Sequence, residues 1–278
     1  MSQMSKPSLS VIPLVLFAAC GGGTSMPEAN DPANVPFGTT AIVVVVNPTI
    51  NNVNARSVAA PGPSRAGVTV TTDDKVTATT DASGIAVLAP VTAGMRTITM
   101  SGSGATGSVP VMIANGALLE LAVSTDATHA QLMVQVDYKT DQAVQVSPAM
   151  TNAEVNNALK VSDRVVFFAG GHYTGDIDFS GSRVTLFGEG ALGGKVFLEG
   201  NLKVSGSDSR IRGTHITGNL TIPASGVGIS FSRVDGTVTS MGSDGTLLAN
   251  ALCGTATVTG SGTVAVGNTG IAPITGCP

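Results

Sequence analysis

The chain has 278 residues, of which 12% are charged and 35 are glycine, with no tryptophan and a formal net charge of −4. Because Val, Thr, Ser and Gly dominate and charged amphipathic runs are scarce, the composition excludes a mainly helical protein and indicates an all-β one. The acidic balance argues against a nucleic-acid partner, which would need a basic stripe for the phosphates. At about 150 residues per domain, the length favours two domains.

Residues 1–19 have the pattern of an export signal, in which Lys6 precedes an apolar run too short to span a bilayer. The run ends in Ala18-Ala19 directly before Cys20, and this resembles the lipobox of bacterial lipoproteins. The resemblance implies that Cys20 is acylated and anchors the chain in a membrane. Gly21 at the next position implies sorting to the outer membrane. An ordinary secretory signal remains the alternative.

Residues 20–39 are rich in Gly, Pro, Ser, Asn and Ala, which predicts a flexible tether behind the lipid anchor. From residue 40 to residue 125, short β-branched runs alternate with turn clusters, and this spacing predicts a β-sandwich. Three segments resemble the carboxypeptidase regulatory-like (transthyretin-like) sandwich: Gly67-Val68-Thr69-Val70, Thr80-Asp81-Ala82-Ser83-Gly84 and Ala93-Gly94-Met95-Arg96-Thr97-Ile98. The resemblance implies a fold and carries over no catalytic residue.

Residues 126–278 contain an 18-residue repeat. Its glycine columns are Gly200, Gly218, Gly236 and Gly254, and Gly188, Gly206, Gly242 and Gly260. Its apolar columns are Val184, Leu202, Leu220, Val238 and Ala256; Leu186, Val204, Ile222 and Val258; and Ile211, Ile229, Leu247 and Ala265. Several columns at one period predict stacked rungs in which alternate strand residues face the core. Thr151 and Glu154 form a capping-box pattern that predicts a capping helix over residues 152–160.

The predicted fold is therefore all-β, with a small β-sandwich followed by a single-stranded β-solenoid (β-helix) of 18-residue rungs and a short N-terminal capping helix. The chain has three cysteines. With Cys20 assigned to lipid, Cys253 and Cys277 remain as a pair in an oxidising compartment, and we expect a disulfide between them. That disulfide would hold the C-terminal tail against the preceding rung.

Two further resemblances concern the second domain. The opening segments Ser162-Asp163-Arg164-Val165-Val166-Phe167-Phe168, Gly170-Gly171-His172-Tyr173-Thr174-Gly175 and Val184-Thr185-Leu186-Phe187-Gly188-Glu189-Gly190 resemble those of pectin-lyase-like β-helices. This resemblance implies a polysaccharide lyase or glycoside hydrolase. The 18-residue rung is similar to that of bactofilins, which are polymerising β-helices, and implies self-association as another open possibility.

The carboxylates offer only weak catalytic candidates. Asp208 and Asp244 share a column two rungs apart, or roughly 10 Å at about 4.8 Å per strand, near the upper limit for an inverting pair. Both stand in Gly-Ser-Asp turns, where a structural role is favoured. A second pair with the same spacing is Glu199 and Asp235.

Other candidate sites are weaker still. Asp176 and Asp178 form a possible weak Ca²⁺ site, and His129, His172 and His215 lack the spacing of zinc ligands. An outward file of threonines (Thr185, Thr221, Thr239 and Thr257) predicts a regular hydroxyl-rich surface; similar files occur on ice-binding solenoids. Tyr173 is the one candidate aromatic platform for sugar.

These observations favour a non-enzymatic lipoprotein of the outer membrane, in which the β-helix is a structural or adhesive module. We expect no cofactor and no nucleic-acid partner. The expected binding surface contains Thr221, Thr239 and Thr257, and the expected partners are polysaccharide or other envelope proteins. The alternative is a small polysaccharide lyase or hydrolase.

Overall fold

The computed structural model describes residues 32, 35–48, 50, 65–139, 143–189 and 195–269. The predicted signal peptide, Cys20 and Cys277 lie outside these residues. Within the described part of the chain, no helix is both long enough and apolar enough to cross a membrane. The fold is all-β with one short helix, and it has an N-terminal region (residues 35–139) and a C-terminal region (residues 143–269).

The N-terminal region consists of two four-stranded sheets. Its strands are β1 Ala41–Val46, β2 Thr69–Thr72, β3 Thr77–Thr79, β4 Ile85–Leu88, β5 Gly94–Gly102, β6 Ala105–Ile113, β7 Leu118–Thr125 and β8 Ala130–Tyr138. Sheet I has the order β4-β1-β7-β8 and sheet II the order β3-β2-β5-β6. All strand pairs are antiparallel except β1 with β7. Both sheets contribute side chains to one apolar core.

Strand β8 changes the predicted boundary between the two regions. Sequence periodicity assigned residues 126–278 to the second domain, but β8 pairs with β7 along its length and completes sheet I. The predicted boundary therefore divides a β-hairpin. The change of architecture falls between Tyr138, where β8 ends, and Val144, where the next strand begins.

The C-terminal region contains one helix and seventeen short strands within the described residues. Its elements are β9 Val144–Val146, α1 Asn152–Lys160, β10 Val165–Phe168, β11 Gly171–Thr174, β12 Ile177–Phe179, β13 Thr185–Gly188, β14 Val196–Glu199, β15 Leu202–Val204, β16 Arg210–Arg212, β17 His215–Ile216, β18 Leu220–Ile222, β19 Gly228–Ser230, β20 Arg233–Val234, β21 Val238–Ser240, β22 Thr246–Leu248, β23 Ala251–Leu252, β24 Ala256–Val258 and β25 Val264–Val266.

These strands form three parallel sheets, an arrangement compatible with a β-solenoid. Sheet III has the order β9-β10-β13-β16-β19-β22-β25, sheet IV the order β11-β14-β17-β20-β23 and sheet V the order β12-β15-β18-β21-β24. From β10 onward, each rung gives one strand to each sheet. Alternate residues turn inward, so Leu220, Ile229 and Val238 are buried in one continuous core.

The strand register confirms the 18-residue period for the later rungs and corrects it for the earlier ones. Arg210 pairs with Gly228, 18 residues on, whereas Thr185 pairs with Arg210, 25 residues on. Leu202 accordingly lies beside Ile177 and not in a column with Val184. The predicted columns were therefore wrong at Val184, Leu186 and Gly188, because the rung that contains them is seven residues longer than the repeat.

Helix α1 closes the N-terminal end of this core, as predicted. The side chain of Thr151 accepts a hydrogen bond from the Glu154 backbone, and the Glu154 carboxylate accepts one from the Thr151 backbone. Val155 and Leu159 are buried in the core of the stacked rungs. The capping box thus holds the helix where its apolar face covers the first rung.

The two regions share a buried interface. Within β1, Ile42, Val44 and Val46 face the core between sheets I and II, whereas Ala41, Val43 and Val45 pack toward sheet III. An uninterrupted apolar strand suits this position because both of its faces are buried. On the other side of the interface lie Phe187, Phe231, Leu248 and Val266.

A buried ion pair crosses the interface. The Nε atom of Arg212 lies 2.7 Å from Oε1 of Glu120, and both side chains are at most 1% exposed. Burial raises the pKa of Glu120, and the charge of Arg212 opposes this effect. Arg212 also donates a hydrogen bond to the Pro32 carbonyl and lies 4.9 Å from the centre of the Phe187 ring.

The segment before β1 is packed, which changes the predicted extent of the tether. Val35 is buried, and the ring of Phe37 lies 4.7 Å from that of Phe167 and 5.1 Å from that of Phe187. The predicted flexible tether of residues 20–39 therefore ends before Val35. These contacts hold the start of the folded chain at the junction of its two regions.

Candidate functional site

A groove of about 260 Å³ lies where the beginning of sheet III meets the end of β8, and we call it the corner groove. Its lining residues are Asp137, Lys139, Asp163, Arg164, Val165, Arg183, Thr185, Asp208 and Arg210. Seven of these nine side chains carry charge. The corner groove therefore gathers charged groups from both regions of a chain that has few of them.

The wall of the groove is a column of left-handed backbone positions, one before each strand of sheet III. The column contains Asp163, Arg183, Asp208, Gly226, Asp244 and Gly262, with φ between 55° and 71°. Asp and Gly are among the residues that tolerate this conformation best. The turns therefore explain why Asp208 and Asp244 recur at this place without any catalytic role.

Asp208 and Asp244 do not meet in the groove. Asp208 lines it, whereas Asp244 is two rungs further along the column and is not among the lining residues. Gly226 separates them, and a Cβ built on this glycine would lie 2.3 Å from Oδ1 of Asp208. The carboxylates that do share the groove with Asp208 are Asp137 and Asp163.

The charges in the groove alternate in sign from one rung to the next. Arg183 donates two hydrogen bonds to Asp163, of 2.5 and 2.8 Å, and this pairing lowers the pKa of Asp163. Arg183 is in turn attracted to the charge of Asp208 on the following rung. Since neighbouring parallel strands are about 4.8 Å apart, charges of opposite sign follow one another at that interval.

On the opposite wall, Asp137 and Lys139 come from the end of β8. Partial desolvation raises the pKa of Asp137, although its side chain stays open to solvent, and Gln135, Arg210 and Lys139 oppose the shift. Arg210 donates hydrogen bonds to the carbonyl groups of Ser209 and Gly226, at 3.0 and 2.5 Å.

Two cations of the groove carry no ion pair. Among the residues that the structure describes, neither Lys139 nor Arg164 forms a salt bridge. Four of the chain's 14 Lys and Arg residues line this groove, against three acids. The groove is thus slightly positive on a chain of net negative charge, and cations and carboxylates both face a ligand.

A second polar surface lies on the outward face of sheet IV, where His172, Phe197, His215 and Arg233 occupy one column. The rings of His172 and Phe197 are stacked, with centroids 4.7 Å apart and an interplanar angle of 8°. The ring of His215 lies 5.2 Å from that of Phe197. We call this column the aromatic ladder.

Carboxylates from the neighbouring column pair with the ladder. Nδ1 of His172 lies 2.6 Å from Oε1 of Glu199, and Nε2 of His215 lies 2.7 Å from Oδ2 of Asp235. Burial alone would raise the pKa of Asp235, but hydrogen bonds from His215 and Arg233 outweigh it and lower that pKa. The predicted pair Glu199 and Asp235 therefore serves two separate histidines.

Threonines from the predicted binding surface do form one column on sheet V. Thr221, Thr239 and Thr257 pair in register on successive rungs, and Lys203 precedes them. Thr185 does not belong to this column, because it lies in β13 of sheet III and is only 9% exposed. The hydroxyl file is therefore three residues long within the described rungs.

The remaining candidates have structural partners. Oδ1 of Asp176 accepts hydrogen bonds from the backbone and side chain of Asn201, while Asp178 receives its backbone partner from Asn156. Tyr173 is 4% exposed and donates to the carbonyl of Ala169, so it offers no platform to a sugar. Across the described residues, no group of three or more His, Cys, Asp or Glu side chains is placed to hold a metal ion.

Cys253 is disulfide-bonded. The predicted partner, Cys277, lies outside the described residues, so the pairing itself stays a prediction. Among the other predicted residues, His129 lies 3.7 Å from Asp126 in an exposed turn, far along the chain from the other histidines.

Neither protein-family models, nor curated proteins, nor solved structures gave a match to this chain. The corner groove and the aromatic ladder therefore rest on the geometry of this molecule alone.

Sequence reasoning missed both surfaces for one reason. His172 and His215 are 43 residues apart, which is one rung of 25 residues followed by one of 18. A search at a fixed period of 18 therefore cannot align them. Asp137 and Lys139 were missed because they belong to β8, which reaches the groove only through the docking of sheet I on sheet III.

Proposed function

We propose that this protein is a non-enzymatic lipoprotein of the bacterial outer membrane whose β-helix is a structural or adhesive module. Acylated Cys20 would hold it in the membrane, and a short tether would lead to the folded part. A transthyretin-like sandwich would form the first domain and would support the β-helix. Envelope polysaccharide and other envelope proteins are the expected partners.

The observation that carries this proposal is the use of the carboxylates along the stacked rungs. Asp163 pairs with Arg183, Asp176 with Asn201, Glu189 with Lys195, Glu199 with His172, and Asp235 with His215 and Arg233. Each of these interactions joins polar groups on or between rungs. A hydrolase or lyase needs carboxylates directed at substrate, whereas these are directed at their neighbours.

The docked regions support a load-bearing or adhesive role. Because Phe37 and the Pro32 carbonyl are held at the interface, the chain enters the folded part at the junction of both regions. A pull on the tether is therefore shared between sheet I and sheet III. Such an arrangement keeps the outer surfaces in a constant position relative to the anchor.

The proposal is tested by the location and retention of the full chain in a bacterial host. We expect radiolabelled palmitate on the wild-type chain and not on Cys20→Ser, with the label in the outer-membrane fraction. We also expect purified Cys20→Ser protein to be retained by washed cell envelopes. A chain without lipid that washes off the envelopes would contradict the proposal.

Polysaccharide cleavage is the second candidate function. The observation in its favour is that Asp137, whose pKa is raised, shares the corner groove with Asp208. Two carboxyl groups in different environments are the arrangement that supplies an acid and a base. The test is release of reducing ends or unsaturated products from acidic and neutral polysaccharides.

Asp244→Asn is the matched control for Asp208→Asn in this test, because both residues hold the same left-handed corner. Cleavage that Asp137→Asn and Asp208→Asn abolish, and that Asp244→Asn leaves intact, would establish the enzyme. Absence of cleavage in the wild-type chain would leave the adhesive function as the conclusion.

A further inference from the structure

We propose that the corner groove binds a zwitterionic phosphoethanolamine group. This inference deepens the adhesive function proposed above by naming the ligand, and it rests on the groove's geometry. In a cell envelope this group occurs as a lipid headgroup or as a substituent of saccharides, and both sources share the same chemistry.

The charge pattern of the groove selects a zwitterion over a simple anion. Arg164, Lys139 and Arg210 offer donors to a phosphate, and guanidinium groups bind phosphate oxygens with two parallel hydrogen bonds. Asp137 and Asp208 line the same space, so a ligand with negative charge alone would face two carboxylates at close range. An ammonium group on the same ligand turns both of those repulsions into attractions.

The spacing of the charges suits this ligand. Cations and acids alternate between neighbouring rungs, which are about 4.8 Å apart. The phosphate and ammonium of phosphoethanolamine are joined through only two carbon atoms, so they span one such interval. A ligand with a longer separation between its charges would place at least one of them against a side chain of like sign.

The groove is also open to a ligand. Lys139 and Arg164 form no salt bridge within the described residues, so a phosphate does not displace a protein partner from them. Arg183 is different, because Asp163 already holds it with two hydrogen bonds. We therefore assign phosphate contact to Arg164 and Lys139, and ammonium contact to Asp208 and Asp137.

The test is calorimetric titration of the full chain with phosphoethanolamine, inorganic phosphate, ethanolamine and phosphocholine. We expect phosphoethanolamine to bind about tenfold or more tightly than phosphate or ethanolamine, since each lacks one charged hydrogen-bonding partner. Phosphocholine should also bind more weakly, because its quaternary ammonium has no N–H to donate. Equal affinity for inorganic phosphate would overturn the proposal and leave an anion site only.

Matched variants localise the binding. Arg164→Gln and Asp208→Asn should each weaken phosphoethanolamine about tenfold or more, as expected for a lost charged hydrogen bond. Arg65→Gln, an exposed arginine outside the groove, and Asp244→Asn, at the equivalent corner, should leave the affinity unchanged. Unchanged binding in Arg164→Gln would also overturn the proposal.

Two further arms separate the sources and the two proposals. Flotation of Cys20→Ser protein with phosphatidylethanolamine vesicles, and not with phosphatidylcholine vesicles, identifies a lipid headgroup; free-ligand binding without flotation identifies the saccharide substituent. If envelopes retain the chain but phosphoethanolamine does not bind, the groove proposal fails alone. If phosphoethanolamine binds but envelopes do not retain the chain, the adhesive function fails alone.

Discussion

The N-terminal and C-terminal regions obtain their strand register in different ways. Strands β5 and β6 are joined through Ser103 and Gly104, both at positive φ, and this two-residue turn aligns Gly102 with Ala105. In the C-terminal region no turn joins paired strands, and the register follows from rungs of equal length. A local error in the first region affects one hairpin, whereas an error in a repeated column affects every rung stacked on it.

The largest expected effect comes from breaking the link between the two regions. Arg212→Met leaves Glu120 buried without its partner, and we expect a loss of about 3–5 kcal/mol in the free energy of unfolding. Calorimetry should then resolve two unfolding transitions where the wild type shows one. The double variant Glu120→Leu/Arg212→Met, which removes both charges, should recover most of the stability. A single unshifted transition in Arg212→Met would show that the two regions do not depend on this pair.

The next effect tests the repeated column itself. In Gly236→Ala, the new methyl group would lie 2.4 Å from the carbonyl oxygen of Gly218 on the preceding rung. We expect a loss of about 1–3 kcal/mol, because only backbone movement relieves this clash. The control is Gly170→Ala, whose closest contact is the flexible Glu189 side chain at 3.3 Å. Denaturant titration compares the two, and equal losses would contradict the proposed cause.

A smaller effect is expected at the end of the stack. Thr151→Ala removes the side chain that caps α1, and we expect a loss of about 1 kcal/mol. Because Val155 and Leu159 cover the first rung, hydrogen exchange should increase first in β12, against which the helix packs. Asn157→Ala, an exposed change within the same helix, should not accelerate that exchange. Faster exchange confined to the last rungs would count against the capping role.

The smallest effect is a pH dependence that belongs to the N-terminal region. Hydrogen bonds from Thr72 and Thr92 lower the pKa of Asp74 to about 2. A lowered carboxyl pKa contributes stability above the unfolded-state value, near 3.9, and loses it as the pH falls through the folded-state value. Asp74→Asn should therefore cost about 1 kcal/mol at pH 7, after allowance for solvent screening, and almost nothing at pH 2. Urea titrations at the two pH values check this, and an equal difference at both would refute it.

The repeated part of the fold was the most predictable from the amino-acid sequence. The columns that contain Ile211, Ile229, Leu247 and Ala265, and the glycines from Gly200 to Gly254, are aligned as their 18-residue spacing predicts. The capping box at Thr151 and Glu154 was equally legible, because its signal is local. Prediction went wrong at Val184 and Leu186, where a longer rung shifts the phase.

The candidate site was the least predictable part. Asp208 was singled out, but its expected companion Asp244 lies outside the corner groove, and Asp137 takes a place beside it instead. Glu120 and Arg212 are 92 positions apart and follow no periodic pattern, so nothing local marked them as a pair. Long-range docking of one region on another leaves no trace in the spacing of residues.

The sequence by itself determined the all-β class, the parallel stacking of the later rungs and the capping helix. Each of these depends on neighbours at short or regular separations, where the preferences of single residues add along the chain. Only the tertiary structure decided that β8 belongs to sheet I, that β1 is buried on both faces and that β8 and sheet III together enclose a charged groove. Those features depend on which apolar faces of two separate regions meet, and complementary faces find each other in space irrespective of their distance along the chain.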